Sequence, residues 1–122
     1  LANNHVRSIV QDNSGNYWFG TSGGGVCNYF GKQFTHYDKS AGQLAGNYIY
    51  SIYRDSRQNL WVGTSDKGVS LFDSSKFYNL QNGFADVKVK AICEDNSGNM
   101  YLGTDGQGVY VYNGLEFLQV DG

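Results

Sequence analysis

Few residues in this 122-residue sequence carry reactive groups, and their spacing decides what chemistry they support. Asp12, Asp55 and Asp95 have the side chain of a catalytic carboxylate or a calcium ligand. A calcium loop needs oxygen ligands at alternate positions, as in Asp-x-Asp-x-Asp, and none of the three stands in such a run. Each opens an Asp-x-x-x-Asn stretch with Gly fourth in two of the three copies, which is a hairpin turn. There the carboxylate accepts a backbone N–H two residues on, and Gly supplies the positive φ. The Ser-x-Asp-x-Gly order of a sialidase Asp-box is not matched. His5 and His36 occupy unrelated places in the pattern below, so no His/Glu/Asp set converges. Cys27 and Cys93 are also inequivalent and have no CxxC or histidine cluster nearby. They read as two small buried apolar residues, not as a metal site or a disulfide. Gly23-Gly24-Gly25 precedes no helical pattern, so it is not a phosphate loop. The expectation is no catalytic residue, no metal and no cofactor.

The aspartates recur because the chain is a repeat. Asp12-Asn13-Ser14-Gly15-Asn16-Tyr17-Trp18-Phe19-Gly20-Thr21 matches Asp55-Ser56-Arg57-Gln58-Asn59-Leu60-Trp61-Val62-Gly63-Thr64. Both match Asp95-Asn96-Ser97-Gly98-Asn99-Met100-Tyr101-Leu102-Gly103-Thr104. Gly25-Val26, Gly68-Val69 and Gly108-Val109 follow each threonine at one spacing, and Phe34, Phe77 and Phe117 follow those glycines at another. Each copy reads as four strands. The first strands are Val6–Gln11, Ile49–Arg54 and Val89–Glu94, with Val6, Ser8 and Val10 expected on one face and Arg7, Ile9 and Gln11 on the other. The second is Tyr17–Thr21 and its equivalents. The third strands are Val26–Phe30, Val69–Phe72 and Val109–Tyr112, and the fourth Gln33–Tyr37, Lys76–Leu80 and Glu116–Val120. Gln58 stands where the other hairpins have Gly, and Asn59 is expected to take the left-handed position in its place. Asp38–Asn47, rich in Gly, Ser and Ala, reads as a loop between blades.

A period near forty with four strands suits a β-propeller blade. The reading is all-β: a propeller segment of three four-stranded antiparallel blades at 1–40, 41–83 and 84–122, forming one structural unit. Trp18, Trp61 and Tyr101 share one mid-strand position, where a large ring fills the layer between blades; burying such a ring contributes about 2–3 kcal/mol. Ser8, Ser51 and Ala91 keep the first strand small, as an inner strand near a crowded axis requires. Propellers have about four to eight blades. Three blades leave two apolar faces to cover, so the expectation is a longer propeller, or two copies paired into a ring.

The pattern Val-x-Ser-Ile-x-x-Asp-x-x-Gly-Asn-x-Trp-x-Gly-Thr-x-x-x-Gly-Val resembles the two-component regulator propeller repeat. Val6, Ser8, Ile9, Asp12, Gly15, Asn16, Trp18, Gly20, Thr21, Gly25 and Val26 carry it in the first copy. The second copy departs at Gln58 and the third at Ala91 and Tyr101. The resemblance implies the periplasmic or otherwise extracytoplasmic part of a membrane sensor, often a hybrid sensor histidine kinase that detects oligosaccharides. It implies no catalytic residue in the propeller.

Residues that recur in every blade explain the architecture, so ligand contacts are sought where the copies differ. At the ends where the chain enters the innermost strands stand His5 and Arg7, Tyr48 and Tyr50, and Lys88 and Lys90. These groups can hydrogen-bond sugar hydroxyls or pair with uronate or sulfate, and tyrosine rings can stack on pyranose faces. An oligosaccharide is the expected ligand. An interaction or dimerisation scaffold is the alternative, and a propeller lyase or glycosidase ranks behind both. A net charge of −2 without a basic run argues against nucleic acid. No apolar stretch of about 18 residues argues for a membrane span, so no direct membrane contact is expected of this segment.

Overall fold

The computed structural model describes residues 5–12, 14–37, 44, 46, 48–65, 67–73, 76–80, 87–114 and 116–120. All the regular elements among these residues are strands. They are β1 (Val6–Gln11), β2 (Tyr17–Thr21), β3 (Val26–Phe30), β4 (Gln33–Tyr37), β5 (Ile49–Arg54), β6 (Leu60–Thr64), β7 (Val69–Phe72), β8 (Phe77–Leu80), β9 (Val89–Glu94), β10 (Met100–Thr104), β11 (Val109–Tyr112) and β12 (Phe117–Val120). They form three antiparallel blades, β1-β2-β3-β4, β5-β6-β7-β8 and β9-β10-β11-β12. The first strands β1, β5 and β9 lie beside one another across the blades and are the inner strands. β8 and β12 begin one residue later than the expected Lys76 and Glu116. The expected limits between blades, at 40/41 and 83/84, lie outside the described residues, as does most of the Asp38–Asn47 stretch.

The second blade packs one face on the first blade and the other on the third. Between the first and second blades, Trp18, Val26, Leu44, Ile49, Ile52, Leu60 and Val62 form one buried cluster. Between the second and third, Trp61, Val69, Val87, Val89, Met100 and Leu102 form another. Leu44 and Val87, both ahead of an inner strand, are buried, so the stretch read as a plain loop carries a core residue.

Coverage by a neighbouring blade, not residue type, sets burial. Ile52 is 8% exposed against the first blade, whereas Ile9, at the same place in the repeat, is 59% exposed. Trp18 and Trp61 are buried, while Tyr101 at their position is only half-buried. Cys93 is exposed, contrary to the expected burial, because it pairs with Tyr101 and shares its uncovered face. Cys27 is buried, and both thiols are free.

The inter-blade gap is closest at the glycine of the second strand. A Cβ on Gly20 would lie 2.6 Å from Ile49 Cγ2 of the next blade and 2.7 Å from Ser8 Oγ. On Gly63 it would lie 2.5 Å from Ser51 Oγ and 2.8 Å from Val89 Cγ1. Only glycine lets the next inner strand come so near.

The Asp hairpins hold as the repeat implied. Asp12, Asp55 and Asp95 accept from the N–H of Ser14, Arg57 and Ser97 at 3.0, 2.9 and 2.9 Å. The second turn corrects one expectation: Gln58 itself takes the left-handed conformation, at φ 69°, matching Gly15 and Gly98. The Asp55 carboxylate also accepts from the Asn59 N–H. That bond sets the register of the turn and leaves the strained position on Gln58.

Candidate functional site

The six variable residues share one rim, and a break in strand pairing puts three of them there. Val6 pairs with Thr21 and Ser8 with Gly20, so Arg7 is an extra residue, a β-bulge. The same shift falls between Ile49 and Ser51, extruding Tyr50, and between Val89 and Ala91, extruding Lys90. The bulge overturns the simple alternation expected of Val6, Ser8 and Val10. In the second blade it turns both Ile49 and Ile52 toward Gly20 of the first. It also aims one side chain per blade along the rim.

The backbone on either side of each bulge is anchored. The carbonyls of His5, Tyr48 and Lys88 accept from the N–H of Ser22, Ser65 and Asp105 at 2.9, 2.9 and 3.0 Å. The threonine ending each second strand braces the connection that follows. Thr21, Thr64 and Thr104 donate through Oγ1 to the carbonyls of Gly25, Gly68 and Gly108 at 2.8, 2.8 and 2.6 Å. An antiparallel bridge between Ser22 and Tyr48 ties the first blade to the second at this level.

Three of the six residues meet. The Arg7 guanidinium carbon lies 4.6 Å from the centroid of the Tyr50 ring, and Lys90 Nζ lies 4.7 Å from the same centroid. One cation comes from each blade flanking Tyr50. Each such contact contributes about 0.5–1 kcal/mol at an exposed site. The ring of Tyr50 is thus engaged by cations, and the openly exposed ring is that of Tyr48, at 57%. His5 and Lys88 are exposed on the same rim, each two residues ahead of its bulge.

The opposite rim carries the Asp hairpins and a feature the sequence reading missed. The second carboxylate oxygen of Asp12 accepts from Trp18 Nε1 at 3.1 Å, and that of Asp55 from Trp61 Nε1 at 2.8 Å. The signal was an Asp and a Trp six residues apart in two copies. Burial pushes the Asp12 carboxyl up, but the bonds from Trp18, Asn16 and Ser14 together outweigh it and hold the group below the usual value. At Asp95 the Asn99 backbone and side-chain bonds lead, with the same net direction. The Asp95 charge in turn pushes the Tyr101 hydroxyl up. All three carboxylates brace turns, and those of Asp12 and Asp55 also hold a buried tryptophan. A cavity of about 220 Å³ also opens between the second and third blades, lined by Arg57, Asn59, Trp61, Asn99 and Tyr112 among others. In the first interface Trp18, Tyr37, Phe72 and Phe77 pack ring against ring, and Leu80 takes the place of Tyr37 in the second.

Among the described residues no three His, Cys, Asp or Glu side chains come together as a metal site. No helix among them is long and apolar enough to cross a membrane.

The sequence model of the family described as "Two component regulator propeller" matches residues 1–23, 43–66 and 83–106, one stretch in each repeat. The chain belongs to this family. This regulator propeller is similar to the extracellular domain of BT3049, a putative hybrid two component system from B. thetaiotaomicron. The two share 32% identity and a TM-score of 0.79, over 93% of this chain and 16% of that one. The extracellular domain of BT4673, a putative hybrid two component system of the same organism, matches at 25% identity and a TM-score of 0.78, over 98% and 17%. The regulator propeller therefore spans about a sixth of the length of these chains. A search of curated proteins returned no match.

Proposed function

We propose that this regulator propeller is a non-catalytic ligand-binding segment in the extracytoplasmic part of a membrane two-component signalling protein, and that its ligand is an oligosaccharide. The observation that carries this reading is the set of three bulges. They place a variable polar side chain from each blade on one rim, supported by backbone anchors that repeat from blade to blade. Bulges re-aim side chains at functional rims, and Arg, Lys and Tyr are suited to the hydroxyl, carboxylate and sulfate groups of sugars. His5, Arg7, Tyr48, Tyr50, Lys88 and Lys90 are the residues assigned to contact it. The likeness to extracellular domains of two component systems supports the location.

The test is titration calorimetry of an oligosaccharide panel against the protein, with Tyr48→Ala, Tyr50→Ala and Lys90→Ala beside the parent. The reading expects at least one oligosaccharide to bind and each variant to weaken it. If no oligosaccharide binds, or all three variants bind as the parent does, the reading falls.

The uncovered blade faces favour a second reading, an assembly scaffold. Ile9 and Tyr17 on the first blade and Val109 and Leu118 on the third are exposed apolar residues. Further blades, or a second copy of the chain, would cover them. Sedimentation at two concentrations separates pairing, which is concentration-dependent, from a chain that stays monomeric.

A further inference from the structure

The rim concentrates positive charge in a chain whose net charge is negative. Arg7 and Lys90 converge on the one ring of Tyr50, which holds their charges within about 10 Å of each other, comparable with the Debye length in physiological salt. Lys88 lies two residues from Lys90 on the same rim. Among the described residues the rim carboxylate is Asp105, whose backbone N–H is bonded to the Lys88 carbonyl. No carboxylate pairs with Arg7, Lys88 or Lys90 among the described residues. The π face of Tyr50 offsets part of the repulsion between the two cations but leaves their charge unneutralised.

From this geometry we infer that the rim selects an acidic oligosaccharide, one whose sulfate or carboxylate groups pair with Arg7 and Lys90 beside the Tyr50 ring. The inference rests on the oligosaccharide reading above and deepens it by naming the substrate class. An acidic group paired with either cation lowers the repulsion between the two. The Arg7 guanidinium offers a planar fork that fits two oxygens of a carboxylate or sulfate, and Lys90 supplies a point charge. Tyr50 acts as the spacer that holds the two apart, so it positions the cations instead of stacking on a sugar. The exposed ring of Tyr48, two residues away along the same strand entrance, is placed to take the adjoining pyranose face.

The experiment is calorimetry of the full chain with three probes of one disaccharide backbone: a sulfated form, a uronate form and the neutral form. Titrations run at low and at physiological salt, with Arg7→Gln and Lys90→Gln beside the parent. The inference expects an acidic form to bind at least about 10-fold tighter than the neutral one, with the preference shrinking as salt rises. Each Gln variant is expected to reduce acidic binding about 10-fold and to leave neutral binding within about twofold. The difference between the sulfated and uronate arms tells which anion is preferred. Equal binding of neutral and acidic forms, insensitive to salt, overturns the acidic inference and leaves the oligosaccharide reading standing. Binding of none of the three, under conditions where the melting curve shows a folded chain, overturns both. The salt series on the parent needs no variant, so misfolding of a variant cannot rescue the inference.

Discussion

Replacing Gly63 by Ala tests the close packing of the blades directly. Gly63 lies in β6 with an ordinary strand backbone, so alanine meets no conformational strain there. Space is the constraint. The new Cβ would sit 2.5 Å from Ser51 Oγ, 2.8 Å from Val89 Cγ1 and 3.1 Å from Val89 Cβ. Val89 is fully buried and β-branched, so its side chain has little rotamer freedom to withdraw. Relief requires β9 to move away from β6, opening the second inter-blade cluster. Overpacking of this kind costs about 1–3 kcal/mol. Gly103 is the built-in control: its Cβ would meet only Ala91, at 3.7 Å from Cβ, which is ordinary contact. Gly103→Ala should therefore be neutral, or stabilising by a few tenths of a kcal/mol, because alanine loses less entropy in a strand. The gap between the two variants is about 2 kcal/mol, or roughly 8 °C in melting temperature for a chain of this size. Thermal melts of the 122-residue chain followed by far-ultraviolet circular dichroism read it. Adding Ser51→Ala to Gly63→Ala removes the nearest contact, and a hydroxyl that is buried without a hydrogen-bond partner. It should recover about 1 kcal/mol, the remainder staying with Val89. Equal melting of the two single variants, or no recovery in the double variant, would refute the packing argument.

Gln58→Gly should stabilise the second hairpin by about 0.5–1 kcal/mol, because the left-handed conformation at φ 69° is unfavourable for glutamine and open to glycine; a higher urea midpoint checks it. Stability should also fall in acid. The folded-state carboxyls of Asp12 and Asp95 lie below their usual value of 3.8, so the unfolded chain takes up protons first. Their contribution is complete above about pH 5 and is lost as pH drops through 3.8 and then through the lower folded values. Asp95→Asn should flatten that acid limb, and urea midpoints taken between about pH 7 and 3 would reveal a rise instead if the hydrogen-bond account were wrong.

Threefold repetition let the sequence by itself determine the strands, their order within a blade and the Asp turns. A pattern that returns in register at each copy reports a local structure that each copy must build alone. Asp12, Asp55 and Asp95 were legible as turn braces because their first hydrogen bonds reach only two residues along the chain. The rim was legible only as a set of variable positions, His5, Arg7, Tyr48, Tyr50, Lys88 and Lys90. That Arg7, Tyr50 and Lys90 are bulge residues was not, since a bulge is a relation between two strands and leaves no mark in the spacing of one. The meeting of Arg7 and Lys90 at Tyr50 joins three blades and depends on how closely the inner strands approach, which Gly20 and Gly63 permit. Burial was decided at the same level. Ile9 and Ile52 have the same side chain at the same place in the repeat, yet only Ile52 has a blade against it, and Leu44 and Val87 enter the core from a stretch with no periodic signal. Local hydrogen bonding wrote the blade into the sequence, whereas the packing of blade on blade, which no single repeat contains, decided the core and the site.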